Sequence, residues 1–170
     1  LGSSPGKFDR PSGIVFTGDD SIYVCDTMNH RIQHVTPMGK SINEFGSQGS
    51  DEGQFQSPWG LDIDNEGNVF IADHKNHRIQ KFDAEGKFIF TFGTYGSGMG
   101  ELDHPTDVAV DPDGDIYVSD WANNRVQVFN SLGEYILQIR GSATDLSKWQ
   151  KRYVESNPDV VKARRRVESL

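Results

Sequence analysis

Residues 58–93 read "PWGLDIDNEGNVFIADHKNHRIQKFDAEGKFIFTFG", and this stretch decides the fold. Gly60–Asp64 is a short apolar run that stops at the turn "NEG". Asn68–Ala72 carries Val, Phe and Ile and stops at Asp73. Arg78–Phe82 alternates apolar with polar and turns at "DAEG"; Lys87–Phe92 then runs to Gly93. Branched and aromatic runs of about five residues, separated by Gly, Asp and Asn, predict four antiparallel strands.

The same unit occurs twice more without a gap. "PSGIVFTGDDSIYVCDTMNHRIQHVTPMGKSINEFG" starts at Pro11, and "PTDVAVDPDGDIYVSDWANNRVQVFNSLGEYILQIR" starts at Pro105, so the period is 47 residues. Asp26, Asp73 and Asp120 fall in register, as do Asn29, Asn76 and Asn123, and Arg31, Arg78 and Arg125. Each proline is preceded by a matching phrase, "GKFDRP", "GQFQSP" or "GELDHP". Four strands in each repeat of about 40 to 50 residues is the signature of a β-propeller blade. The expected fold is therefore all-β, with blades over about 6–52, 53–99 and 100–141 within a body spanning 1–141.

The repeats resemble the NHL family, named for an Asn-His-Leu triplet. "NHRIQ" at 29–33 and 76–80 matches its core with Ile in the Leu place, and "NNRVQ" at 123–127 is a looser copy. The resemblance implies a ring of six blades, of which this chain carries three. Three blades leave two flanks open. The expectation is either a C-terminal piece of a longer propeller, or two copies pairing as a homodimer, or a tail that covers a flank. "LGSSPGKF" at the N-terminus looks like the end of an earlier repeat, which favours the first. Residues 142–170 change register. Leu146, Trp149 and Tyr153 suit one helix, and Asn157-Pro158 suits the start of another, so a helical tail is expected.

Charge narrows the partners. Residues 1–141 hold 10 Lys and Arg against 21 Asp and Glu, a net of −11, while 142–170 hold 7 against 4. An acidic body repels phosphate backbones, so nucleic acid is not the expected partner. No apolar run approaches the roughly 20 residues of a membrane span. The N-terminus shows no signal-peptide pattern, and it does not begin with Met. A single cysteine, Cys25, leaves the compartment unspecified; it shares its slot with Ala72 and Ser119 and reads as packing.

Two classes of function follow. A motif repeated in every blade lies at one radius and cannot converge on a centre, so the Asp-Asn-Arg motif reads as architecture, with Asn tolerating the tight turn and Arg pairing a carboxylate. The unlike residues after each proline do converge on a channel: Ser12, Trp59, Thr106 and Asp107. They predict a non-catalytic binding or scaffold module for a protein, peptide or small ligand, with no cofactor and with Trp59 as anchor. The alternative is a metal-dependent enzyme. "HPTDVAVDPDGDIYVSD" resembles the propeller of peptidyl-hydroxyglycine amidating lyases, which implies zinc held by histidines at inner-strand starts. This chain has none there; His104 and Asp107 are weak metal candidates, and zinc or calcium would follow only with the enzyme reading. "DPDGD" at Asp111–Asp115 looks like a calcium loop but matches "TGDDS" and "DNEGN" in the other copies, so it reads as a hairpin turn.

Overall fold

The computed structural model describes residues 2–140. The helical tail expected over 142–170 lies outside the described residues.

Three four-stranded antiparallel sheets follow one another along the chain. The first contains β1 (Ile14–Phe16), β2 (Ile22–Asp26), β3 (Arg31–Val35) and β4 (Ser41–Phe45). The second contains β5 (Pro58–Ile63), β6 (Val69–Asp73), β7 (Arg78–Phe82) and β8 (Phe88–Phe92). The third contains β9 (Pro105–Val110), β10 (Ile116–Asp120), β11 (Arg125–Phe129) and β12 (Tyr135–Ile139). Strand order within each sheet is sequential, so every connection is a hairpin. These are three consecutive propeller blades, as the repeat predicts. Strand ends shift by a residue or two from the sequence reading. β5 begins at Pro58, which pairs with Asp73 across a register shift, because proline is accommodated at the first position of a strand.

The core lies between blades rather than within them. Tyr23, Cys25 and Ile32 of the first blade pack on Leu61, Val69, Ile71 and Phe82 of the second. Phe70, Ala72 and Ile79 of the second pack on Val108, Ile116, Val118 and Phe129 of the third. All five residues of β6 are buried, since alternate side chains of this middle strand face a different neighbour. Cys25 is fully buried, and desolvation pushes its thiol up, in keeping with a packing role.

The phrases before Pro58 and Pro105 each plug a seam. Phe55 and Leu102 are fully buried at the two seams. Inner strands β5 and β9 approach closely enough that a Cβ on Gly60 would sit 2.5 Å from the Asp107 Cα and 2.7 Å from the Thr106 carbonyl oxygen. The "DPDGD" segment is a hairpin turn: Asp111 accepts from the Asp113 and Asp115 backbone N–H groups at 3.0 Å each.

Candidate functional site

The repeated motif forms one buried polar cluster in each blade. Asp26, Asp73 and Asp120 are fully buried where the second strand ends. Each carboxylate accepts from the arginine that opens the next strand: Arg31 Nε at 2.9 Å, Arg78 Nε at 2.9 Å and Arg125 Nε at 2.7 Å. Asn29, Asn76 and Asn123 donate both to this carboxylate and to a carbonyl of the incoming segment, those of Gly2, Gly49 and Gly96. The tight turn itself belongs to the next residue. His30, His77 and Asn124 have φ of 54°, 55° and 51°, a left-handed conformation that His and Asn tolerate better than most residues. This corrects the expectation that Asn29, Asn76 and Asn123 absorb the turn, and it explains why His and Asn alternate at this position.

Sequence reading missed Gln33, Gln80 and Gln127. All three are fully buried. Each donates to the motif carboxylate and to a carbonyl of the plug segment, and accepts a backbone N–H from Gly6, Gly53 or Gly100. Their identity in all three copies was the available signal. The environment tunes the same carboxylate differently. Burial alone would raise Asp26, but hydrogen bonds from the Asp9 N–H, Asn29, Arg31 and Gln33 hold it below the usual range. In the middle blade burial wins, and Asp73 is raised despite the same kinds of donor.

The two seams differ in their side-chain chemistry. At the first seam, Thr27 Oγ1 donates to the Pro58 carbonyl at 2.8 Å, and Ser12 Oγ bonds Thr27 Oγ1 and the Trp59 carbonyl at 2.7 Å each. At the second, His74 replaces Thr27, with Nδ1 3.2 Å from the Pro105 carbonyl. On His74 lies Trp59, stacked with ring centroids 4.2 Å apart and planes 7° from parallel. His104 meets His74 edge-on at 4.9 Å and His77 at 4.4 Å. Trp121 flanks both His74 and His104 at 6.4 Å, and Tyr95 stands edge-on to His77 at 4.7 Å. Trp59, Tyr95 and Trp121 are exposed by 38%, 70% and 64%, so an aromatic ledge opens to solvent. Burial holds His74 and His77 below the ordinary imidazole range, so both are neutral at about pH 7.

The other expected site residues sit close by. Thr106 Oγ1 is 2.9 Å from Ser119 Oγ. Asp107 accepts from the Val108 N–H at 3.0 Å. Desolvation raises its carboxyl, and the Asp62 charge adds to the effect, although the residue keeps an open edge. The inner-strand starts Ser12, Trp59 and Thr106 offer no imidazole, so they do not fit the zinc set that a lyase resemblance implies. Ser21 Oγ lies 2.5 Å from His34 Nε2, but this pair is not a nucleophile and its base. Ser21 is 4% exposed, and the nearby Asp19 carboxylate bonds the serine rather than orienting the imidazole.

Sequential four-stranded blades, packed face to face through their inner strands, define a β-propeller protein. The NHL repeat model matches residues 8–35, 55–82 and 102–129, and the chain is an NHL-repeat protein. Its structure is similar to that of a streptogramin B lyase, at 17% identity and a TM-score of 0.61, covering 78% of this chain and 41% of the lyase. A catalytically inactive virginiamycin B lyase from Staphylococcus aureus with quinupristin is similar at 15% identity and a TM-score of 0.63, over 82% and 44% of the two chains. Kuenenia stuttgartiensis hydrazine synthase is similar at 18% identity and a TM-score of 0.61, over 84% and 38%. The chain thus spans less than half the length of these proteins, and the likeness is one of fold. No curated protein matches it. No helix among the described residues is long and apolar enough to cross a membrane.

Proposed function

We propose that the chain is a non-catalytic binding module that takes a protein segment, peptide or small ligand on the ledge formed by Trp59, His74, His104 and Trp121. The stacked, half-open indole of Trp59 carries this reading. A ring already held flat loses little freedom when a second planar or apolar group settles on it. The remaining channel-facing candidates, Ser12, Thr106 and Asp107, supply polar edges beside the ledge. Peptides selected on the purified protein are expected to lose at least about tenfold in affinity on Trp59→Ala, the scale of a hot-spot residue. Unchanged affinities would overturn the reading.

The first blade supports a second kind of contact. Ile14 and Phe16 are exposed by 62% and 64%, whereas their counterparts in the repeat include Leu61 at 5% and Val108 at 3%, each covered by the preceding blade. A neighbouring blade fits this flank, supplied by a second copy or by chain ahead of residue 1. Light scattering distinguishes them: a species of about twice 19.0 kDa that Phe16→Asp dissociates supports the second copy, and a monomer at all concentrations overturns it.

A further inference from the structure

Three of the chain's five histidines, His74, His77 and His104, converge at the seam between the second and third blades. Comparing the repeats shows how much of this the fold requires. At the first seam, His30 Nδ1 accepts the Ser57 backbone N–H at 3.1 Å. At the second, His77 Nδ1 accepts the His104 backbone N–H, also at 3.1 Å. The residue before it uses its own backbone N–H to reach the motif carboxylate in all three blades: Asp9 to Asp26, Gln56 to Asp73 and Asp103 to Asp120. The fold therefore uses only the main chain of residues 103 and 104. Gln56-Ser57 serves the same purpose, and the side chains of Asp103 and His104 are surplus to it.

Those surplus side chains meet His77. Asp103 Oδ1 lies 2.6 Å from His104 Nδ1 and 3.2 Å from His77 Nδ1. The first is a hydrogen bond donated by the imidazole. The second lacks a proton, because the His77 Nδ1 lone pair already accepts from the His104 N–H. Two electron-rich atoms thus face each other across 3.2 Å. Ligands around a tetrahedral cation with bonds of about 2.0–2.2 Å stand roughly 3.3–3.6 Å apart. One donor atom from each of His77, Asp103 and His104 lies within 4.8 Å of the others.

We propose that His77, Asp103 and His104 form a binding site for a divalent transition-metal cation of the zinc class. Two imidazole nitrogens and one carboxylate oxygen suit zinc and its neighbours, whereas calcium and magnesium favour oxygen-rich shells. The three side chains are 18%, 23% and 37% exposed, which gives the ion a route in and leaves positions for water or an exogenous donor. The cation takes the place of the His104 Nδ1 proton against Asp103 and draws His77 Nδ1 from its backbone partner. The site does not depend on the ledge acting as a binding surface.

The test uses the full chain, stripped with a chelator and titrated with zinc against a chromophoric competitor. One zinc is expected to bind per chain. Asp103→Asn and His104→Gln, both at half-exposed positions, are each expected to weaken it by more than about tenfold. His34→Gln, in the first blade, is expected to leave it unchanged. X-ray absorption of the bound ion is expected to show two imidazoles in its shell. Absence of saturable zinc binding, wild-type affinity in both variants, or an all-oxygen shell would each overturn the proposal.

Discussion

The indole of Trp59 lies flat on the imidazole of His74, 4.2 Å between centroids and 7° from parallel. At the first seam the corresponding residues are Ser12 and Thr27, joined by a hydroxyl hydrogen bond of 2.7 Å. The same pair of positions is thus joined by different chemistry in two successive blades. Aromatic pairs of this kind contribute about 0.5–1.5 kcal/mol beyond their burial. A double-mutant cycle with Trp59→Ala and His74→Thr is expected to give a coupling in that range. Thr is the appropriate replacement because Thr27 already makes the equivalent bond to a proline carbonyl. Additive effects in urea denaturation would show that the stack contributes nothing to stability.

Asp73 is the most demanding group in the middle blade. It accepts from Asn76, Arg78, Gln80 and the Gln56 N–H, all through a fully buried carboxylate. Asp73→Ala strands those donors and leaves Arg78 without its main partner. Removing one member of a buried ion pair costs about 3–5 kcal/mol. Denaturation should register a loss of that size, while Asn65→Ala, on an exposed turn, should fall within about 0.5 kcal/mol of the parent.

Gly60→Ala tests the close approach of β5 and β9. The new Cβ would meet main-chain atoms at 2.5 and 2.7 Å, which no side-chain rotation relieves. Overpacking of this kind costs about 1–3 kcal/mol. Thermal unfolding should shift down accordingly, and a neutral outcome would mean that the inner strands slide apart freely.

Stability should fall below neutral pH. Burial lowers His30 and His34, with Lys75 adding to the effect at His30, so both pKa values in the folded state lie beneath the ordinary 6.5. Above that value folded and unfolded chains are both neutral there, and stability is fully present. As pH falls the unfolded imidazole protonates first, and stability is lost down through the lowered folded value. Each histidine contributes a slope of at most about 1.4 kcal/mol per pH unit. His30→Asn keeps a side chain suited to the left-handed turn, as Asn124 shows, and removes the titration. Urea midpoints measured between pH 8 and 5 should therefore decline less steeply in the variant.

Much of this was legible in one dimension. Asp73 before a tight turn and Arg78 opening the next strand could be read from the 47-residue register, because each blade must solve the same geometric problem. Gln80 was equally visible as an invariant but carried no meaning, since two of its three partners, the Gln54 carbonyl and the Gly53 N–H, lie 26 and 27 residues earlier. Trp59 stood out as an aromatic at an inner-strand start. Nothing in the sequence joined it to His74, His104 or Trp121.

In one dimension the chain carries the blade: its four strands, its turns and the Asp–Arg pairing that recurs at the 47-residue period. Those features depend on neighbours along the chain or on the repeat period, and periodicity is a property that a string of residues carries. Only the tertiary structure decided that Asp103 and His104 face His77, and that Trp59 covers His74. The first contact crosses the seam between the second and third blades, where packing fixes which unlike residues share a surface; the second forms within the second blade, where the register that sets Pro58 opposite Asp73 brings the residues after them together.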